Sequence, residues 1–219
     1  MLHPSDMPSA DSSCCAAPAR SLPPTIELRD VTLCLPNGRI QAGLSFALRP
    51  GLNLLQGGEG SGKTTLLRVL AGELPASRGQ MLRQSSTLWY EVAADADHDP
   101  VIAQDWLEQR SRRYPLWQSQ VAQALVEAFG LQEHLGKPMY MLSAGSRRKV
   151  GLVGAAASGA ELTLLDTPWA ALDGRSGRIL NELLEEAAQQ TARCWVIADY
   201  ACPAGLVDLP WAGGADLGD

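Results

Sequence analysis

Residues 57–64 have types and a spacing that suit phosphate binding. They fit the pattern G-x-x-x-x-G-K-[ST], in which glycines allow backbone N–H groups to surround phosphate oxygens. In this pattern the ammonium of Lys63 neutralises the terminal phosphates, and the hydroxyl of Thr64 is a ligand for Mg²⁺. The sequence therefore predicts a site for nucleotide phosphates formed by Gly57, Gly58, Glu59, Gly60, Ser61, Gly62, Lys63 and Thr64.

A strand and a helix must hold this loop in place. The apolar run 52–55 predicts a buried strand, and the leucines in 64–74 follow helical spacing. The N-terminus of such a helix places positive partial charge next to the phosphates. The sequence leaves two interpretations of Thr65 open, a contact with phosphate and a cap for the helix.

Two later segments carry polar groups at the ends of predicted elements. Ser143, Ala144 and Gly145 open a helical stretch, where the serine hydroxyl can cap the helix and the glycine allows an anion to approach. The apolar run 162–166 predicts a second buried strand. Asp166, at the carboxyl end of that strand, is suited to hold Mg²⁺.

Strands alternate with helices around these motifs, which predicts an α/β fold with a mainly parallel core sheet. Alternating apolar residues in 26–35 and 40–48 flank a Pro-Asn-Gly turn and predict an antiparallel β layer. Helical patterning over 101–130 assigns about 100–150 to a helical subdomain. Further predicted elements are a strand at 87–90, a helix at 177–190 and a strand at 194–198.

Length and charge limit the possible classes of protein. With 219 residues, of which 46% are hydrophobic, the chain can form one domain with a subdomain. The formal net charge of −6 gives no field for a polyanion, so nucleic acid is not an expected partner. The basic run Arg147, Arg148 and Lys149 is interpreted as a solvated helix face. No uninterrupted apolar run reaches about 18 residues, so no membrane span is predicted.

Residues 1–24 mix Ser, Pro, Ala and Asp and are predicted to form a disordered N-terminal extension rather than a secretory signal. The five cysteines have no zinc-ligand spacing and fit a reduced cytosolic protein. For the adjacent Cys14 and Cys15, a redox or lipid site and an incidental pair both stay open.

The order of these motifs resembles the ABC ATPase family, with residues 143–145 in the place of the family's signature and Asp166 ending its Walker B strand. The resemblance implies that residues 25–219 form a P-loop NTPase domain of ABC type that binds ATP and Mg²⁺. In that family the signature contacts the γ phosphate of a nucleotide held by the opposite subunit. Residues 170–173 resemble the family's D-loop, although Asp173 could instead cap the next helix.

Two positions depart from the family's pattern. Active ABC ATPases usually have Glu after the Walker B Asp, where this chain has Thr167, and His at the position matched by Tyr200. General-base catalysis contributes a factor of about 10² to 10⁴, so without it hydrolysis should be slow while ATP binding is retained. Asp199 is an alternative base. The family also has a glutamine in a loop before the signature, and the segment 91–100 of this chain has none at the expected place. Gln104 and His98 are candidates to replace it, and His98 could instead be a solvated loop residue.

The resemblance implies the ATP-binding subunit of an ABC transporter, cytoplasmic and peripheral at the inner face of the cytoplasmic membrane. Its implied partners are a transmembrane permease subunit and a second ATP-binding subunit, in a homodimer or a heterodimer. Within the family, the short length and the stretch LSAGSRRK resemble haem-exporter ATP-binding subunits of cytochrome c maturation. Thr167 and Tyr200 suggest that this chain is the catalytically degenerate subunit in an asymmetric pair of ATP-binding subunits. A non-hydrolysing ATP-dependent regulatory subunit and a soluble non-transport ABC ATPase are the alternatives.

Overall fold

The computed structural model describes residues 22–90 and 95–218. Most of the predicted N-terminal extension, and the pair Cys14 and Cys15 within it, lie outside the described residues. Among the residues described, no helix is both long and apolar enough to cross a bilayer.

Strands and helices alternate along most of the chain. The strands are β1 (Ile26–Cys34), β2 (Ile40–Leu48), β3 (Gly51–Gln56), β4 (Arg78–Arg83), β5 (Leu88–Trp89), β6 (Leu162–Asp166), β7 (Cys194–Asp199) and β8 (Trp211–Asp216). The α-helices are α1 (Lys63–Ala71), α2 (Ala103–Arg113), α3 (Ser119–Ala128), α4 (Ala144–Ala157) and α5 (Gly174–Ala188). Single 3-10 turns lie at Ala96–His98, Met139–Met141 and Ala204–Leu206.

A five-stranded parallel sheet, in the order β5-β6-β7-β3-β8, forms the centre of the fold. The three middle strands are buried along nearly their whole length, because other elements cover both faces of the sheet. Their continuous apolar sequences follow from that burial. β8 was not predicted, because its glycine-rich sequence WAGGAD lacks an apolar run.

A three-stranded antiparallel sheet, in the order β2-β1-β4, packs beside the parallel one. The predicted pairing of β1 with β2 is confirmed. β4 was not predicted, because its sequence RGQMLR is polar and mostly exposed and forms a strand by pairing with β1.

Two apolar clusters lie on opposite faces of the parallel sheet. Leu164 and Val196 point into the cluster shared with β1, β2 and α1. Leu165 and Trp195 point into the cluster shared with α2, α4 and α5. These layers confirm the predicted α/β fold, with a mainly parallel core sheet and an antiparallel β layer. The stretch predicted as a helical subdomain contains α2, α3 and the first half of α4.

The guanidinium of Arg193 closes the carboxyl end of α4. It donates to the carbonyl oxygens of Ala155, Ala156 and Ala160 over 3.0, 3.1 and 2.9 Å, and to Thr163 Oγ1 over 3.2 Å. Burial lowers the pKa of Arg193 to about 10. A cation at this end of a helix satisfies carbonyls that have no partner within the helix.

Replacing Arg193 with Met should therefore lower the free energy of unfolding by about 2–4 kcal/mol, since the carbonyls of Ala156 and Ala160 lose their donor. The carbonyl of Ala155 keeps a hydrogen bond from Ser158 Oγ. Urea denaturation at neutral pH measures this change. Arg178→Met is the control, because Arg178 is exposed on α5 and makes no hydrogen bond or ion pair within the described residues. Equal effects of the two substitutions would contradict the capping role.

Candidate functional site

The loop between β3 and α1 turns through glycines that have positive φ. Gly62 is the N-cap of α1 at φ 100°, and no side chain among the described residues caps this helix. A Cβ atom on Gly62 would lie 2.7 Å from Leu35 Cδ2, in a backbone conformation that other residues rarely adopt. The first N–H groups of α1 are thus left for an anion.

The ammonium of Lys63 is folded back over this loop. Its Nζ donates to the carbonyl oxygens of Gly57 and Gly58 over 2.6 Å each, and lies 4.6 Å from the ring centroid of Tyr200. Lys63 is only 7% exposed. In the described part of the chain no carboxylate lies within ion-pair distance of it. Its Nζ also lies 3.5 Å from Ser61 Oγ. A buried cation held by neutral oxygens and an aromatic face fits a phosphate group.

Thr64 and Asp166, the predicted ligands of Mg²⁺, meet in the structure. Thr64 Oγ1 donates to Asp166 Oδ2 over 2.6 Å and so joins the start of α1 to the end of β6. Mg²⁺ takes such oxygen ligands, few of them from protein and the rest from water and phosphate. The hydroxyl and the carboxylate therefore fit the expected metal.

A cavity of ≈ 430 Å³ lies beside the phosphate loop. It joins the predicted phosphate site, the predicted metal ligands and both substituted positions. Its walls include Lys63, Thr64, Thr65, Asp166, Thr167 and Tyr200, together with Glu59, Gly60, Gly62 and the turn 35–37. Gly57, Gly58 and Ser61 belong to the loop but do not line the cavity. Since the N-cap of α1 is Gly62, Thr65 does not cap this helix.

The two substituted positions bring neither a carboxylate nor an imidazole to the cavity. Thr167 directly follows β6, and Tyr200, which is 59% exposed, directly follows β7. Asp199, at the end of β7, accepts a hydrogen bond from Tyr200 N over 2.7 Å. Burial raises the pKa of Asp199, although that hydrogen bond and the charge of Lys63 oppose the rise.

Residues 143–145 lie away from this cavity, at the start of α4. Ser143 is the N-cap, and its Oγ accepts a hydrogen bond from Ser146 N over 3.1 Å. Ser143 and Ala144 are exposed. A side chain on Gly145 would collide with the carbonyl oxygen of Ala171, so α4 packs closely on the loop after β6.

The interpretation of the basic run as a solvated helix face is wrong. Arg147 pairs with Asp99 over 2.6 Å and Lys149 pairs with Asp173 over 2.9 Å, and their side chains are 16% and 14% exposed. Arg148 Nη1 donates to two backbone carbonyls at the end of β6. The three side chains have partners because both sides of α4 face neighbouring loops.

Helical spacing carried a signal for this burial. Arg148 lies four residues before the buried Leu152, and so on the same face of α4.

The loop residues considered in place of the family's glutamine do not line the cavity. The ring of His98, which is partly exposed, lies against that of Trp106 with centroids 5.8 Å apart, and Gln104 lies in the first turn of α2.

Asp173 is the N-cap of α5. Its Oδ1 accepts a hydrogen bond from Ser176 N over 2.9 Å, while Oδ2 pairs with Lys149. The hydrogen bond from the backbone of Ser176 and the one from Lys149 hold the pKa of Asp173 well below its ordinary value. The capping interpretation of Asp173 is therefore correct in the structure.

Replacing Gly62 with Ala should weaken binding of Mg-ATP about tenfold or more, because the left-handed conformation costs an alanine about 1–2 kcal/mol. The contact with Leu35 adds to that cost. Isothermal titration calorimetry measures the affinity. Gly174→Ala is the control, since a Cβ atom on Gly174 meets nothing within 4 Å. Unchanged affinity in the Gly62 variant would show that the loop does not hold the phosphates.

A glycine-rich loop between a buried parallel strand and a helix, beside an aspartate at the end of a neighbouring strand, defines a P-loop nucleotide-binding protein. The profile of the family described as ABC transporter matches residues 42–170 of the chain. The chain belongs to this family, among its ATP-binding proteins.

Relatives of known name support this membership. A cytochrome c biogenesis ATP-binding export protein CcmA from Roseobacter denitrificans is 35% identical over 147 residues, which cover 66% of this chain and 70% of the relative. CcmA from Paramagnetospirillum magneticum is 34% identical, over 70% of this chain and 78% of its own length. The zinc import ATP-binding protein ZnuC from Halorhodospira halophila is 30% identical, with 81% and 68% covered. The predicted resemblance to the cytochrome c maturation subunits is thus confirmed.

Solved structures agree with the fold. An ABC transporter ATP-binding protein from Pyrococcus furiosus superposes with a TM-score of 0.69 at 19% identity, over 88% of this chain and 96% of that one. At such identity the likeness concerns the fold alone. It confirms the α/β P-loop fold of ABC type.

Proposed function

We propose that this chain couples Mg-ATP binding to a separate transmembrane permease, as the ATP-binding subunit of an ABC transporter at the inner face of the cytoplasmic membrane. The observation that carries the proposal is the cavity lined by Lys63, Thr64 and Asp166. Thr167 lines the same cavity and has no carboxylate. Relatives named as ATP-binding proteins of export and of import support this role. In the proposal, the permease rather than this chain provides the transport path.

The residues of the cavity have separate tasks in this proposal. The N–H groups of the phosphate loop and the ammonium of Lys63 bind the β and γ phosphates. Thr64 and Asp166 hold Mg²⁺, which when bound neutralises charge on the phosphates and orients them. None of these tasks requires the group at position 167, so binding is retained.

Hydrolysis needs a group that takes a proton from the attacking water. Thr167 and Tyr200 bring a hydroxyl and a phenol to these positions, and neither is the carboxylate or imidazole that usually serves as general base. Losing such a base raises the barrier by about 3–5 kcal/mol, which corresponds to a factor of about 10² to 10⁴ in rate. We therefore assign slow turnover to the isolated chain.

The signature-like residues extend the proposal to a second subunit. Ser143 and Ala144 are exposed at the N-terminus of α4 and do not line the chain's own cavity. Such a helix start can bind the nucleotide of another ATP-binding subunit. The chain would then lend residues 143–145 to a partner whose own site hydrolyses ATP. Thr167 and Tyr200 also favour a second candidate, a regulatory subunit that binds ATP without hydrolysing it.

Two substitutions separate binding from hydrolysis. Lys63→Ala should abolish binding of Mg-ATP, because the loop loses its only ammonium. Thr167→Glu should leave binding intact and raise turnover by about 10² or more, because it restores a carboxylate next to Asp166. Calorimetry measures binding, and steady-state release of phosphate measures turnover.

Lys137→Ala is the matched control, since Lys137 contacts His134 and does not line the cavity. Fast hydrolysis by the unmodified chain, lost in the Lys63 variant, would contradict slow turnover while leaving ATP binding in place. If Lys63→Ala and Lys137→Ala both lost binding of Mg-ATP, a specific role of the phosphate loop in that binding would be contradicted.

A further inference from the structure

The loop after β6 leaves the sheet through an unfavourable backbone conformation. Thr167 has φ 41° and Ala171 has φ 63°, both in the left-handed region. This region is uncommon for any residue with a side chain and is an outlier for a β-branched one. Such a conformation persists only where neighbouring groups hold it.

Hydrogen bonds on both sides of Thr167 supply that restraint. Its backbone N–H donates to the carbonyl oxygen of Ala198 over 2.8 Å, which continues the pairing of β6 with β7. On the other side, Arg148 Nη1 donates to the carbonyl oxygens of Asp166 over 2.8 Å and of Thr167 over 3.0 Å. A single nitrogen of the guanidinium therefore fixes the peptide groups that precede and follow the αL residue.

Arg148 belongs to a helix that is fastened to the same loop at two further points. The backbone of Gly145 packs against the carbonyl of Ala171, and Lys149 pairs with Asp173. The first two turns of α4 thus hold the loop after β6 from its start to its end. These contacts make the position of the loop depend on α4.

The surroundings of Arg148 indicate that its partners are backbone groups. It is about half-buried, and burial lowers its pKa while the charges of Asp166 and Asp199 oppose that change. Within the described residues it forms no ion pair with a carboxylate. Burying a guanidinium is costly, and here the hydrogen bonds that offset the cost are those to the end of β6.

We propose that Arg148 is a positioning residue for Mg²⁺, because it fixes the backbone that carries the carboxylate of Asp166 toward Thr64. Mg²⁺ demands a near-ideal arrangement of its ligands, so a small displacement of the carboxylate weakens its binding. Replacing a group that orients a metal ligand through a hydrogen bond typically lowers metal affinity by about 10- to 100-fold. The proposal rests on the proposed function, since it requires that ATP binds with Mg²⁺ at this site.

The test measures the affinity of the full chain for ATP by calorimetry, once with Mg²⁺ and once with EDTA. The affinity in EDTA reports the phosphate loop alone, and the gain on adding Mg²⁺ reports the metal ligands. For Arg148→Gln we expect the gain to fall by about tenfold or more while the affinity in EDTA is unchanged. A loss shared equally by both conditions, or no loss, would overturn the proposal.

Two further variants make the result specific. Arg148→Lys should recover part of the gain, because one ammonium nitrogen can replace the single nitrogen that makes both bonds. Arg178→Gln, an exposed arginine of α5, should match the unmodified chain. If the Gln variant does not fold, the Lys variant decides, since an unchanged gain with weaker binding in EDTA would refute the positioning role.

The outcome also separates this proposal from the proposed function. If the unmodified chain bound ATP in neither condition, the proposed function itself would be wrong. If it bound ATP and Lys63→Ala abolished binding, but Arg148→Gln left the gain from Mg²⁺ intact, only the role of Arg148 would be lost.

Discussion

β7 pairs in parallel with β6 on one side and with β3 on the other. The register of these two pairings aligns the carboxyl ends of the three strands, from which the site residues extend. In this register Asp166 pairs with Ala198 and Gln56 pairs with Asp199, so the three strands end together. The phosphate loop follows β3 and Thr167 follows β6, and both therefore start from one edge. A slip of one residue would turn Asp166 to the other face of the sheet and separate it from Thr64.

The groups that bind and the groups that would hydrolyse have different origins in this fold. In the proposed function, binding of Mg-ATP would depend on backbone N–H groups, on Lys63 and on the pair Thr64 and Asp166, whose hydrogen bond joins the start of α1 to the end of β6. The proton acceptor that hydrolysis needs would be a single side chain at the cavity wall, where this chain has Thr167 and Tyr200. On the proposed function, a change at Thr167 would alter the chemistry without touching Lys63, whereas a change at Tyr200 would also remove the ring that contacts Lys63.

α4 connects regions that are otherwise far apart in the chain. Its N-terminus carries residues 143–145, its basic side chains hold the loops on both sides, and its carboxyl end is closed by Arg193. Asp99 and Asp173, the partners of its first turns, come from before and after the helix in sequence. The helix therefore ties the loop before α2 to the loop after β6.

The sequence by itself determined the phosphate loop, the strand ending in Asp166 and the alternation of strands with helices, because each is encoded by residues close together in the chain. The glycines and Lys63 specify their loop locally, and continuous apolar runs identify strands that are buried on both faces. β4 and β8 lack such runs, so only their pairing with β1 and β3 reveals them. Charge patterning predicted a solvated face for the basic run of α4, because the partners that bury it are remote in sequence. Only the tertiary structure decided that Arg148 holds the end of β6, that Thr64 meets Asp166, and that residues 143–145 lie outside the cavity, since each depends on contacts between distant segments.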